Sequence, residues 1–157
     1  MIAFLKKYFA ALYIPITWTI LLWVLLCLPG SMLPNEKGFK IPNLDKLVHL
    51  ALFGGFVFLW GLFLSKRTVN VRRLLWGFFI FYVIANFFGV ASELIQRCCI
   101  PGRDYDLADI IADMTGAGLA YGLCNLFLLA AVGHAEVGHA AKSEGRGRSD
   151  GGAANRQ

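Results

Sequence analysis

A chain of 157 residues that is 57% hydrophobic, only 16% charged and has a mean hydropathy of +0.60 is too apolar for an ordinary aqueous domain of its size. The net charge of +5 could suit nucleic acid, but the basic residues collect at the ends of apolar runs, where lipid headgroups and membrane topology account for them without nucleic acid. The length allows one compact bundle and no second domain.

The first apolar run covers residues 8–28. Pro15 lies in its first turns, where a slight kink is expected, and Pro29-Gly30 ends it with a turn signal. Lys6 and Lys7 imitate the start of a cleaved signal peptide. The apolar stretch is longer than a signal peptide's core, and no Ala-x-Ala pattern follows. Leu26 stands before Cys27, where a lipoprotein signal would want Gly or Ala, so the run reads as a retained helix.

The second run, 47–64, is introduced by Asn43-Leu44-Asp45-Lys46-Leu47-Val48-His49. Asp45 falls near the helix start, where free N–H groups and the helix dipole favour a carboxylate. His49 is four residues on and shares its face. That spacing suits a capped helix with an interfacial histidine, and it equally suits an acid–base pair or metal ligands.

The third run, 74–95, carries no charge until Glu93, with Gln96 on the same face and Asn86 two turns earlier. The apolar character continues past Glu93 through Ile95 and Cys98–Ile100, which submerges the carboxylate rather than placing it at a wet helix end. Between Glu93 and Asp113 the chain holds five of its ten carboxylates and two arginines, Arg97 and Arg103. Pro101-Gly102 is expected to turn the chain into the fourth run, 110–132. Asp106, Asp109 and Asp113 follow helical spacing and line one stripe. Capping explains Asp106 well and Asp109 in part. Asp113 lies about 10 Å deeper and needs a partner: Arg103, Arg97, His49 or a cation. Gly116, Gly118, Ala120 and Gly122 form small-residue patterns that let another helix approach.

Of the four cysteines, Cys27 and Cys124 read as small packing residues within apolar runs, and Cys98-Cys99 are adjacent, which is poor geometry for a disulfide between them. No Cys-x-x-Cys pair supports a zinc ribbon or a redox motif. The tail 134–157 is Gly, Ala, Ser and charge, and is expected to be disordered.

Lys6 and Lys7, the group Lys66, Arg67, Arg72 and Arg73, and the basic tail alternate with loops of mixed charge. The positive-inside rule then places both termini and the middle loop in the cytoplasm, and the acidic joint outside. The expected fold is all-α: a four-helix transmembrane bundle over 1–133 with cytoplasmic termini.

The pattern Asp45-Lys46-x-x-His49, Glu93-x-x-Gln96, Pro101-Gly102-Arg103, Asp106-x-x-Asp109 and Gly116, in that order, resembles the VanZ-like family of small bacterial membrane proteins. The resemblance covers roughly Pro29 to Gly122. It implies a multi-pass helical protein of the bacterial plasma membrane and an association with resistance to the glycopeptide teicoplanin. Members of that family often have Asn where this chain has Asp113, and the polar tail lies outside the family pattern.

Asp45, His49, Glu93, Gln96, Arg103, Asp106, Asp109 and Asp113 are therefore the candidate functional cluster. One reading is a cell-envelope protein that binds an anionic or lipid-linked ligand at the outer leaflet, with Arg97 and Arg103 holding its phosphate or carboxylate. A second is an intramembrane enzyme with a divalent cation in the carboxylate/His cluster. A third is an ion-coupled transporter or flippase, for which four helices are a thin scaffold unless the protein forms a homo-oligomer. A plain structural role, a polar clamp between helices, stands beside them. The implied partners are membrane lipids or a lipid-linked envelope precursor, not nucleic acid. No organic cofactor is indicated; a divalent cation is the one option. No Ser-His-Asp or Cys-His pattern points to a protease.

Overall fold

The structure is a computed structural model that describes residues 11–29, 44–103 and 105–153, with side chains described as far as 132. The described residues form four α-helices and no strand: α1 Tyr13–Leu26, α2 Leu44–Arg67, α3 Val71–Cys99 and α4 Leu107–Ala153. The described chain divides into two compact units at Asn125 and Leu126, and the site described below lies in the first.

Three helices are long and apolar enough to cross a membrane: Leu44–Arg67, Val71–Cys99 and Leu107–Val132. The 24 residues of α2 rise about 36 Å, more than a hydrocarbon core of about 30 Å requires. α1 has 14 residues and is shorter than a span, against the run of 8–28 expected from sequence; residues 1–10 lie outside the described residues. Pro15 stands in the first turn of α1, where its missing N–H has no intrahelical partner to lose, so it starts the helix and does not kink it.

The outward faces are apolar. On α3, Leu75, Trp76, Phe79, Ile80, Val83, Phe87, Val90 and Leu94 are all exposed. A helix surface of this kind is costly in water and normal against lipid. The inner faces build a core around Leu22, Leu52, Phe53, Phe56 and Val57, with Ala85, Ala117 and Ala120 supplied by α3 and α4. Phe56 contacts the rings of Trp60, Phe81 and Phe88. Lipid is as apolar as these side chains, so helix association here rests on packing and interhelical hydrogen bonds rather than on escape from water.

Two kinds of contact set the helix spacing. Trp18 donates its indole N–H to the Leu52 carbonyl at 2.9 Å, and Trp60 donates to Thr19 Oγ1 at 3.1 Å. Gly55 makes room for the Trp18 ring, which a Cβ there would strike. Between α2 and α4 the backbones themselves touch: a Cβ on Gly54 would stand 3.1 Å from the Gly116 carbonyl oxygen, and a Cβ on Gly116 would run into the Leu50 carbonyl. Only the Gly116–Ala120 half of the small-residue pattern is used this way. Gly118 meets nothing nearer than Tyr82 at 4.0 Å, and Gly122 faces open space.

The connections differ. Between α2 and α3 a three-residue link ends in Asn70, whose side chain caps α3 by accepting the Arg73 N–H at 3.0 Å. At the other end of α3, Ile100 closes the helix on Gln96, and Gly102 turns the chain with φ of 74°, a left-handed conformation that suits glycine. Asp106 then caps α4, accepting the Ala108 N–H at 2.8 Å. The expected helix start at the Pro-Gly turn is thus found, while Asp104 and the loop 30–43 lie outside the described residues. α4 continues to Ala153, past the expected end near 132 and through the segment expected to be disordered. Ala, Glu, Lys and Arg in that segment favour helix locally, whereas its glycines cost about 1 kcal/mol each relative to alanine.

Cys124 is buried as expected. Cys27 is not: it falls at the C-cap of α1 and is exposed, because the helix ends one residue before it.

Candidate functional site

The start of α2, the end of α3 and the start of α4 meet at one end of the bundle. His49, Ser92, Glu93, Gln96, Asp109 and Asp113 are all buried there, each at most 3% exposed. Ionisable side chains at that depth cost several kcal/mol unless matched, so each needs an account of its partners.

Asp113, the residue that capping could not explain, is 0% exposed and pairs with His49: Nδ1 lies 3.0 Å from Asp113 Oδ1. Of the partners considered from sequence, the structure selects His49. An ionised carboxylate only accepts, so the proton between them is assigned to Nδ1. In the neutral imidazole Nε2 is then the lone-pair nitrogen, and it faces Asp109 Oδ2 at 4.0 Å, beyond hydrogen-bond reach. Gly89 explains how α4 fits: a Cβ there would stand 3.0 Å from Asp113 Oδ2.

Asp109 divides its two oxygens. Oδ1 accepts from Lys46 Nζ at 3.1 Å, while Oδ2 faces the imidazole. Lys46 also donates to Asp106 Oδ2 at 2.7 Å, binding α2 to the cap of α4. This ion pair pulls the Asp106 carboxyl below its ordinary value, with the Ala108 N–H adding to the effect. Lys46 belongs to the Asp45-Lys46-x-x-His49 motif but was absent from the expected cluster. Its place on the helix gave no sign that it would reach two aspartates sixty residues away.

Glu93 accepts the Asp106 backbone N–H at 3.0 Å through Oε2, tying α3 to the joint. Its other oxygen has no partner among the described residues, and neither has Asp113 Oδ2. Gln96 donates to the Leu26 carbonyl at 3.0 Å and so satisfies the exposed end of α1. Ser92 bonds within its own helix, to the Gly89 carbonyl. Asn86 does the same through Tyr82, outside the cluster.

At the rim, Arg103 approaches Asp45 at 3.7 Å, and its Nε is buried without a partner among the described residues. Asp45 is about half exposed. Arg97, expected as a partner for Asp113 or a ligand phosphate, is exposed at the last turn of α3 and makes no ion pair among the described residues. Its position in sequence put it in the joint; its helical phase turns it away.

All eight residues expected in the cluster lie at this end, and Lys46 joins them. Chemically the centre is acidic: Asp45, Glu93, Asp106, Asp109 and Asp113 stand against Lys46, Arg103 and the imidazole of His49, and both Lys46 and Arg103 already face carboxylates. Asp45, His49 and Asp109 each bring a ligand atom within 4.8 Å of the others, close enough to surround a metal ion.

Comparison of the chain with protein-family models, curated proteins and solved structures returns no match, so the geometry above carries the functional reading.

Proposed function

We propose that this is a multi-pass protein of the bacterial cell envelope, of VanZ-like type, whose buried polar centre takes the charged, phosphorylated headgroup of a lipid or lipid-linked ligand. The basic Lys66–Arg73 end faces the cytoplasm, in keeping with the positive-inside rule, so the centre at the opposite end opens on the outer leaflet. The observation that carries the reading is the set of buried polar atoms without a partner among the described residues, Glu93 Oε1, Asp113 Oδ2 and Arg103 Nε, the last a donor suited to a phosphate oxygen. A protein built only for stability would gain by replacing them with apolar groups; sites kept for ligands hold such groups at a cost.

A polar clamp is the second reading. The bonds from Gln96 to Leu26 and from Asp106 to Glu93 favour it, since both tie helices together and need no ligand. Lipid mass spectrometry on the purified protein separates the two. The expected result is a phosphorylated lipid enriched over the bulk membrane, lost in Arg103→Gln while the protein stays monodisperse. A lipid profile identical to bulk, or loss only where the variant unfolds, would leave the clamp as the better account.

A further inference from the structure

The acidic surplus poses a problem for any phosphorylated ligand. Lys46 is engaged by Asp106 and Asp109, and Arg103 faces Asp45. A phosphate approaching this centre meets carboxylates first. A positive charge must stand between, and the geometry offers a place for one.

We infer that Asp45, His49 and Asp109 form a divalent transition-metal site, positioned by Asp113, in which the metal bridges the acidic centre to a phosphate oxygen.

Three observations carry this. First, His49 is 1% exposed yet its Nε2 has no hydrogen bond among the described residues; it points at Asp109 Oδ2 from 4.0 Å. An imidazole nitrogen and a carboxylate oxygen facing each other at that distance can share a cation between them. Second, the opposite nitrogen is held at 3.0 Å by a fully buried carboxylate, Asp113. This carboxylate–imidazole pairing is how metal-bound histidines are oriented and made more basic. Third, the labour at Asp109 is divided: Lys46 takes Oδ1, which leaves Oδ2 to the metal.

The dimensions fit with little movement. Ligands about 2.1 Å from a tetrahedral ion stand about 3.4 Å from one another. The present atoms lie within 4.8 Å, and Asp45, half exposed on the first turn of α2, is the ligand able to close the difference. One imidazole and two carboxylates suit zinc or manganese better than calcium or magnesium, which take oxygen donors. Three protein ligands leave a coordination position open, and Asp45 marks its exposed side. The inference rests on the proposed function only in naming phosphate as the occupant of that position.

The test uses the full-length protein in nanodiscs of neutral lipid. Dialysis against buffered Zn2+ should leave one ion per chain, and Co2+ in its place should give visible absorption of a four- or five-coordinate site. Asp45→Asn, at a half-exposed position that leaves the core intact, should weaken Zn2+ affinity at least tenfold with an unchanged unfolding midpoint. Asp113→Asn keeps an acceptor for Nδ1 but not its charge, and should weaken affinity about tenfold. Arg72→Ala, at the opposite end of the bundle, should leave affinity unchanged. The inference is overturned if the wild type retains no stoichiometric metal, or if Asp45→Asn binds as tightly as wild type. A protonated His49 clamped between Asp109 and Asp113 would give the first of these results.

Phosphatidic acid in the nanodisc, or inorganic phosphate in solution, should then shift the Co2+ spectrum. A shift with the lipid alone identifies a headgroup as the source; a shift with both identifies phosphate itself. If metal binds and neither probe changes the spectrum, the phosphate-bridging part is overturned. If phosphatidic acid binds equally with and without metal, the proposed function stands and the metal bridge falls.

Discussion

The two ends of this bundle use charge in opposite ways. At the α2–α3 link, Lys66, Arg67, Arg72 and Arg73 are all exposed, with the Arg67 guanidinium 5.1 Å above the Phe63 ring. These charges stay at the surface, where long basic side chains reach solvent. At the opposite end, Glu93, Asp109 and Asp113 are buried with His49, and every interhelical polar bond there crosses between separate elements. Charge at the first end can be changed at little cost. Charge at the second is bound up with the fold and, on the reading proposed here, with a ligand.

The largest contrast should come from removing one partner of the buried pair. His49→Ala strands the Asp113 carboxylate, and leaving a buried charge without its partner costs about 3–5 kcal/mol. Arg72→Ala at the other end should change stability by less than about 0.5 kcal/mol. Denaturant unfolding in a fixed micelle would compare them; equal effects would dissolve the distinction between the ends. Gly116→Leu comes next, because the new side chain meets the Leu50 carbonyl rather than a yielding side chain. Overpacking of about 3 kcal/mol is expected, and it should separate α2 from α4 at the polar end. A cysteine cross-link or spin-label distance between those helices would register the change. Gln96→Leu removes the donor to the Leu26 carbonyl and should cost about 1–2 kcal/mol, read as earlier hydrogen exchange at the end of α1.

The smallest effect concerns pH. The Lys46 ion pair lowers the Asp106 carboxyl, so its contribution is fully present above the ordinary carboxylate value of about 3.9. It is lost as pH falls through the lower, folded-state value. With Asp106 about half exposed the contribution is under about 1 kcal/mol. The stability difference between wild type and Asp106→Asn should therefore be flat from pH 7 to 5 and shrink below about pH 4. A difference that grows on acidification would put the ion pair in doubt.

Periodicity and charge placement were enough to read the helices and the stripe of Asp106, Asp109 and Asp113, because both follow from geometry within one helix. They could not say which helix would face that stripe. The His49–Asp113 pair joins residues 64 apart, and only the close approach at Gly116 and Gly89 selects it over Arg97 or Arg103. Lys46 escaped notice for the same reason. Its single positive charge beside Asp45 reads as a local neutralisation, while in the fold it reaches past its neighbour to α4. The helix bounds differ from the apolar runs because apolar length marks where a helix can sit in lipid, not where its hydrogen bonding stops.

The central claim is that the buried polar centre is kept for a ligand rather than for stability. Glu93→Gln tests it most directly: it preserves an acceptor for the Asp106 N–H and removes the carboxylate whose second oxygen has no partner. The account predicts an unfolding midpoint equal to or above that of wild type in ligand-free nanodiscs. A midpoint lower by several degrees would contradict it and make the centre a clamp.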